Sequence, residues 1–246
     1  MRVTPAAVLY EDERWLVLDK PAGLLTTPNG PNDRSLVDRA RALAPRAPVL
    51  HPLSRLDAPV TGAVLFARDE SALRVAAEAR AAGRLHRWYA GLATGLVERT
   101  RGVWTWSIAV DLRRPTQRVC AEGTSSKPAE TRWTVVARGA AATALSLAPV
   151  TGRTHQLRVH AARAGHPLLG DVAYGGGKRV TSSDGAVLAV PRVMLHARAV
   201  WLPDLGTVVE APLPDDLRTV LAALVPEADE AAFSRARTTV DELPEP

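Results

Sequence analysis

The chain contains 246 residues, of which 46% are hydrophobic and 23% charged, so it can bury a sizeable core. Lys and Arg total 31 against 26 Asp and Glu, which gives a formal net charge of +5. This charge favours polyanionic partners such as nucleic acid, although many proteins without such partners are equally basic. The segment 227–246 is acidic, so the rest of the chain is more basic than the total indicates.

The single cysteine, Cys120, excludes an intrachain disulfide and a cysteine-based metal cluster. Its surroundings, PTQRVCAEG, are typical of a strand and turn, where a packed thiol is the simpler interpretation and a nucleophile the alternative. The N-terminus lacks the apolar stretch of a signal peptide, and no apolar run approaches the roughly 20 residues of a membrane helix. We therefore expect a cytoplasmic protein without membrane contact.

Hydrophobic spacing, turn residues and capping residues predict the elements of the first half of the chain. In chain order they are two strands of a hairpin (8–10 and 15–18), a loop through KPAGLLTTPNG, a helix (35–44), a buried strand (61–67), a helix capped by Asp69 and ended by Gly83 (69–82), and a strand (88–94).

The second half begins with a polar, basic excursion of strand and loop over 101–123. The elements predicted after it are two strands (131–137 and 143–150), a helix (153–164), loops (175–177 and 181–185), two strands (193–202 and 207–210) and a helix capped by Asp215 (215–224). Strands and helices do not alternate strictly, so we expect an α+β fold with a central, largely antiparallel mixed sheet flanked by helices and loops. We expect one domain over 5–226 and a partly helical or disordered tail over 227–246.

Several common site motifs are absent from the sequence. No G-x-G-x-x-G follows a strand, and Val172 breaks the P-loop spacing before Lys178. Neither H-E-x-x-H nor G-x-S-x-G occurs. His155 and His160 are five residues apart and would lie on different faces of a helix. We therefore expect chemistry that uses no metal, no nucleotide cofactor and no serine nucleophile.

Two segments place a charged residue beside turn residues. In SRLDAPVTG (54–62), Asp57 precedes a buried strand, which would place its carboxylate in a cleft; a turn aspartate bonded to local backbone is the alternative. In the predicted helix 153–164, Thr154, Arg158 and Ala161 would share one side. A buried Arg158 needs an anionic partner, and the alternatives are a purely structural ion pair or a guanidinium that reaches solvent.

A third segment, HRWYAGLATG (86–95), has an aromatic pair on a predicted strand. Tyr89 follows Trp88, so the two side chains should point to opposite faces of the sheet. A tyrosine can stack on a nucleic-acid base while its hydroxyl stays in water, and a core tyrosine is the alternative.

Together these segments resemble the RluA-type family of pseudouridine synthases. SRLDAPVTG resembles the family motif H-R-L-D-x-x-T-S-G, and GRTHQLRVH resembles G-R-[ST]-H-Q-[LI]-R-V-H. AGHPLLGDVAYG, LYEDERWLVLDKPAGLL and RWYAGLATG match further family segments in the expected order, as do SKPAETRW, MLHARAVWL and APLPDDL, so the resemblance covers about residues 7–218.

The resemblance implies an isomerase that converts uridine to pseudouridine in ribosomal or transfer RNA, with an active-site cleft across the sheet and no cofactor. Asp57 matches the catalytic aspartate, which either adds to C1′ or removes a C2′ proton, and in both roles it is ionised. Arg158 matches the arginine that pairs with this aspartate, and Leu157 beside it is a supporting residue. Tyr89 matches the tyrosine that stacks on the target base, and Arg55 matches the arginine that fills the gap left by the flipped nucleotide.

Basic side chains outside this set would contact phosphates without reading sequence. They are Arg84, Arg87, Arg113, Arg114 and Arg118.

The chain departs from the family pattern at three places. Ser54 replaces His, Val60-Thr61 replaces Thr-Ser, and Arg87 replaces Lys. These departures leave the precise substrate open, and a catalytically silent RNA-binding protein on the same scaffold is the alternative function. A basic α+β protein with a structural Asp–Arg pair and no RNA role is a weaker alternative. We expect a monomer without the separate N-terminal RNA-binding domain that many members carry.

Overall fold

The structure is a computed structural model that describes residues 6–30 and 33–241. The strands are β1 (Ala7–Glu11), β2 (Trp15–Lys20), β3 (His51–Pro52), β4 (Thr61–Ala67), β5 (His86–Thr94), β6 (Arg101–Trp104), β7 (Ile108–Val110), β8 (Arg118–Cys120), β9 (Thr131–Arg138), β10 (Ala142–Pro149), β11 (Arg179–Thr181), β12 (Val187–Ala189), β13 (Leu195–Trp201) and β14 (Val209–Glu210). The α-helices are α1 (Leu36–Leu43), α2 (Glu70–Ala81), α3 (Gln156–Arg163), α4 (Asp215–Leu224) and α5 (Glu230–Asp241).

These residues divide into two units. The first contains 6–30, 33–87 and 196–212, and the second contains 88–195 and 213–241.

The sheet of the first unit has the strand order β1-β2-β4-β13. β4 pairs antiparallel with β2 and parallel with β13, so the sheet is mixed. β3 extends it beside β4, and β14 extends it beside β13. Every residue of β4 is buried, which explains why its sequence, TGAVLFA, is nearly all apolar instead of alternating.

Side-chain caps begin both helices of the first unit. The Ser35 hydroxyl accepts a hydrogen bond from the Asp38 N–H, and the Asp38 carboxylate accepts one from the Ser35 N–H. The Asp69 carboxylate accepts a hydrogen bond of 2.7 Å from the Ala72 N–H. The sequence-based prediction of Asp69 as a cap is therefore confirmed.

The second unit contains the antiparallel strand order β5-β10-β9-β6 and two separate hairpins, β7–β8 and β11–β12. α4 contributes Leu217, Val220 and Leu221 to a core that also contains Leu92 of β5. Helices thus pack against a largely antiparallel sheet, and the predicted α+β fold is confirmed.

Two predicted helix starts are wrong. α3 begins at Gln156 and not at residue 153, because His155 has a left-handed backbone with φ of 57° that interrupts the helical conformation. Thr154 consequently lies outside the helix and does not share a helical face with Arg158. α4 has Pro214 at its N-cap, so Asp215 is the first helical residue and not the cap.

The acidic segment 227–246 contains α5, while residues 242–246 lie outside the described residues. α5 packs against β9 and β10 and buries Phe233 and Val240. The Arg237 guanidinium lies 5.3 Å from the ring centroid of Trp88. None of the described helices has the length and hydropathy required to cross a membrane.

Candidate active site

Asp57 lies in the loop between β3 and β4, in the first unit. Leu56 before it and Val60 after it are buried, whereas Arg55 is exposed. Asp57 is half-buried, and its carbonyl oxygen accepts a hydrogen bond of 3.0 Å from the Val60 N–H. The chain therefore turns directly after Asp57, and buried neighbours on both sides hold the backbone that carries the carboxylate.

A buried lysine joins this loop to the segment that follows β2. Lys20 is fully buried, and its Nζ donates to the carbonyl oxygens of Pro21, Leu24 and Ala58 at 3.0, 2.7 and 3.1 Å. The Ala58 carbonyl also accepts a hydrogen bond of 2.7 Å from the Gly23 N–H. A buried ammonium group is costly unless its donors are satisfied, so these contacts fix the residue after the candidate aspartate.

Thr61, which departs from the family motif, makes a buried side-chain contact at the start of β4. The Thr61 hydroxyl shares a hydrogen bond of 2.9 Å with Nδ1 of His196, and both side chains are buried. Gly62 has φ of +113°, and a Cβ at this position would overlap the carbonyl oxygen of Ala197. The glycine is therefore required by the close approach of β4 to β13.

In the second unit, Arg158 of α3 has a carboxylate partner, Asp171. The Arg158 Nε and Nη2 each donate to one oxygen of Asp171 at 2.7 Å, and both residues are buried. Such a two-pronged contact holds a guanidinium in one orientation. Asp171, which was not predicted from the sequence, is an anionic partner of Arg158 within the same unit. The pairing of Arg158 with Asp57 stays a prediction.

Tyr174 connects Arg158 to the hairpin β7–β8. The Arg158 Cζ lies 4.9 Å from the ring centroid of Tyr174, which is a cation–π distance. The Tyr174 hydroxyl shares a hydrogen bond of 2.7 Å with Nδ1 of His155 and accepts one of 2.9 Å from the Arg118 N–H. One tyrosine thus contacts the buried arginine, the residue before α3 and the first residue of β8.

Gln156 and His160 attach α3 to β9 and to the segment after β6. The Gln156 Nε2 donates to the Glu130 carbonyl and the Thr131 hydroxyl at 2.8 and 3.0 Å. His160 is fully buried, with Nδ1 3.0 Å from the Thr131 hydroxyl and Nε2 2.9 Å from the Trp106 carbonyl. These residues of the GRTHQLRVH motif therefore have a structural role, which is to hold the helix that carries Arg158.

The stability of the chain should depend on pH through His160. Burial lowers the pKa of His160 below its ordinary value of about 6.5, opposed in part by the Trp106 carbonyl. The unfolded chain therefore binds the proton more readily, and this histidine's contribution to the free energy of unfolding is lost as pH falls below about 6.5 towards the folded-state pKa. Urea unfolding between pH 8 and 5 should show this loss. His160→Gln should weaken the dependence, and an unchanged slope would contradict the prediction.

Tyr89 lies on β5, in the second unit, opposite Leu147 of β10. Its side chain is largely buried, as is that of Trp88. The stacking of a base on Tyr89 stays a prediction.

The arginines expected to contact RNA differ in exposure. Arg84 is exposed and Arg87 half-buried, in the first unit. In the second unit, the exposed Arg113 and Arg114 occupy the tip of the β7–β8 hairpin, and Arg118 is half-buried. The Arg118 guanidinium donates to nearby carbonyl oxygens of its own hairpin. Arg84, Arg113 and Arg114 therefore have the exposure that a phosphate contact requires.

Comparison with known proteins decides the family. The family model described as RNA pseudouridylate synthase matches residues 14–163, which is more than half of the chain. The chain belongs to the pseudouridine synthase family. The RluA-type membership expected from the motifs is confirmed by curated relatives named ribosomal large subunit pseudouridine synthase C and D.

The curated relatives match most of this chain. Pseudouridine synthase D of Nitrosomonas europaea is 36% identical over 232 residues, which cover 89% of this chain and 65% of the relative. Pseudouridine synthase C of Escherichia coli (strain K12) is 34% identical over 221 residues, covering 88% of this chain and 69% of the relative. The chain thus spans about two thirds of the length of these relatives. The expected enzyme class, isomerase, is confirmed at the level of the family.

Solved structures support the fold. The human RNA pseudouridylate synthase domain containing 4 has a TM-score of 0.69 and 23% identity, covering 89% of this chain and 92% of that chain. The human RNA pseudouridylate synthase domain containing 1 has a TM-score of 0.69 and 24% identity, covering 98% of this chain and 96% of that chain. At these identities the likeness establishes that pseudouridine synthases share this fold.

Asp171, Tyr174 and Lys20 are the residues that sequence analysis left without a role. Asp171 and Tyr174 lie in AGHPLLGDVAYG, a segment that matches the family in spacing. A buried arginine requires an anion, so the acidic residue of the neighbouring motif was the available signal for Asp171. Lys20 also lies in a family segment, LYEDERWLVLDKPAGLL, but local hydrophobic spacing did not distinguish it from an exposed lysine.

Cys120 should be chemically unreactive in the folded protein. Burial raises the pKa of the Cys120 thiol to about 11, so the nucleophilic thiolate is scarce at neutral pH. Alkylation by iodoacetamide at pH 7.5 should be at least about 100-fold slower than in the guanidinium-unfolded chain. The Cys120→Ser variant should keep the activity of the unmodified protein on RNA. Fast labelling of the folded protein would instead favour the nucleophile interpretation.

Proposed function

We propose that this chain is an RNA pseudouridine synthase in which the carboxylate of Asp57 carries the chemistry. The proposal rests on the position of Asp57 in a chain that belongs to the pseudouridine synthase family. It is half-buried in a loop that the buried Lys20 fixes through the carbonyl of the next residue. A carboxylate held this way can approach a flipped nucleotide without first ordering its own backbone.

The proposed reaction exchanges one bond of the base for another. The bond from ribose C1′ to uracil N1 breaks, the base turns, and a bond from C1′ to C5 forms. The hydrogen on C5 leaves as a proton and N1 gains one, so the reaction is an isomerisation with no net oxidation. Asp57 either adds to C1′ and is later displaced, or removes a proton from C2′ and later returns it.

The remaining site residues support this step. In this proposal Arg158 pairs with the Asp57 carboxylate, as the family resemblance implies. Within the second unit, Asp171 and Tyr174 hold its guanidinium in one orientation. Leu157 packs beside it, and Tyr89 stacks on the target uracil. Arg55, which is exposed on the same loop as Asp57, fills the space left by the flipped nucleotide and offsets part of the cost of flipping.

We propose structured RNA, ribosomal or transfer, as the substrate, and the cytoplasm as the compartment where a monomer acts on it. The curated relatives carry names that refer to the large ribosomal subunit, which makes large-subunit ribosomal RNA the first substrate to test. The exposed Arg113 and Arg114, together with Arg84, Arg87 and Arg118, would contact phosphates.

The proposal is tested by release of tritium from RNA labelled at uridine C5. Purified protein should release tritium from large-subunit ribosomal RNA or transfer RNA that lacks pseudouridine. Mapping of pseudouridine in cells with and without the gene should then identify the modified position. Binding of these RNAs without any tritium release would favour the alternative, a catalytically silent RNA-binding protein.

A further inference from the structure

A buried hydroxyl lies against the backbone directly before Asp57. Thr26, in the segment after β2, is 3% exposed. Its Oγ1 donates to the Leu56 carbonyl oxygen at 2.8 Å and accepts a hydrogen bond of 3.0 Å from the Leu56 N–H. One side chain thus satisfies both backbone groups of Leu56, as a neighbouring strand would, although Leu56 lies in a loop.

Thr26 is itself held in place by α1. Its carbonyl oxygen accepts a hydrogen bond of 3.1 Å from the Val37 N–H, and the Leu25 carbonyl accepts one of 2.8 Å from the Leu36 N–H. Val37 and Leu36 belong to the first turn of α1. The hydroxyl therefore links the start of a capped helix to the loop of Asp57, and all these residues belong to the first unit.

We propose that Thr26 is a positioning residue for Asp57, an inference that rests on the proposed function. Leu56 is fixed by the Thr26 hydroxyl, and Ala58 is fixed by Lys20 and the Gly23 N–H. The backbone is thus held on both sides of the aspartate. A reacting group must stay within about 0.5 Å of its productive position, and a misplacement of about 1 Å can cost on the order of 100-fold in rate.

Thr143 offers a matched control in the second unit. Its buried hydroxyl donates to the Gly95 carbonyl at 2.8 Å and accepts from the Val97 N–H at 3.0 Å. Thr143 itself is on β10, its two partners lie in the loop that follows β5, and no proposed site residue adjoins the contact. Thr143→Val and Thr26→Val each remove one buried hydroxyl that both donates and accepts, so their comparison separates lost stability from lost positioning.

The experiment measures kcat, KM and RNA affinity of the two valine variants and of Thr26→Ser. Thr26→Val should lower kcat by about 10- to 100-fold while RNA affinity stays within about twofold. Thr26→Ser keeps the hydroxyl and should restore kcat to within about threefold, and Thr143→Val should keep the original kcat. An unchanged kcat in Thr26→Val, or an equal loss in Thr143→Val, would overturn the proposal.

Hydrogen exchange keeps the proposal testable if Thr26→Val does not fold. The Leu56 amide of the unmodified protein should exchange as slowly as a strand amide, and Thr26→Ser should preserve that protection. If the Leu56 amide instead exchanges at the rate of an unstructured peptide, the Thr26–Leu56 hydrogen bond does not form and the proposal is overturned. An unmodified protein that is inactive on every RNA tested would contradict the proposed function, whereas an active one that Thr26→Val does not slow contradicts only the positioning role.

Discussion

Replacement of Asp57 by asparagine is expected to lower tritium release from C5-labelled RNA by at least about 1,000-fold, while RNA binding stays within a few fold. Asparagine has nearly the same shape as aspartate, so the loop held by Leu56 and Ala58 should keep its conformation. The neutral amide can neither add to C1′ nor accept a proton from C2′. The loss should therefore appear in kcat and not in the affinity for RNA.

Two further variants test whether the lost activity is due to the Asp57 carboxylate. Asp57→Ala excludes activity recovered through deamidation of the asparagine. Asp12→Asn alters another loop aspartate of the first unit, one that accepts backbone hydrogen bonds from Arg14 and Trp15 and lies outside the proposed site. It should retain turnover. Activity of Asp57→Ala within tenfold of the unmodified protein would contradict the assignment of Asp57.

Removal of the Asp171 carboxylate is expected to lower the free energy of unfolding by about 3 kcal/mol, because breaking a buried ion pair typically costs about 3–5 kcal/mol. Asp171 accepts two hydrogen bonds of 2.7 Å from Arg158, and its side chain is 1% exposed. Asp171→Ala removes both contacts from a guanidinium that is itself buried. Urea unfolding monitored by tryptophan fluorescence measures the change, and kcat should fall as well because Arg158 loses its orientation.

Asp215→Ala is the matched control for this prediction. Asp215 also pairs with an arginine, Arg218, but its side chain is 91% exposed, so solvent screens the interaction. Its replacement should change the unfolding midpoint little. If Asp171→Ala and Asp215→Ala had equal effects on stability, the buried Arg158–Asp171 pair would not have the structural importance that its geometry indicates.

The sequence by itself determined most of the local structure. The nearly all-apolar run TGAVLFA predicted the buried strand β4, and the Asp69 cap predicted α2, because these signals depend on neighbouring residues alone. The motifs around Asp57 and Arg158 also identified the family, which the comparisons confirmed. Local rules did less well at the start of α3, where the positive φ of His155 makes the helix begin three residues later than the hydrophobic spacing predicted.

Only the tertiary structure decided which side chains support the candidate residues. Thr26 is 30 positions from Leu56, and Lys20 is 38 from Ala58, so spacing along the chain could not predict either contact. Asp171 became the partner of Arg158 because the chain returns to α3 after Gly165, and burial then requires the two charges to meet. The sequence thus predicted which residues carry the chemistry, and long-range packing decided which residues hold the loop of Asp57 and the guanidinium of Arg158 in place.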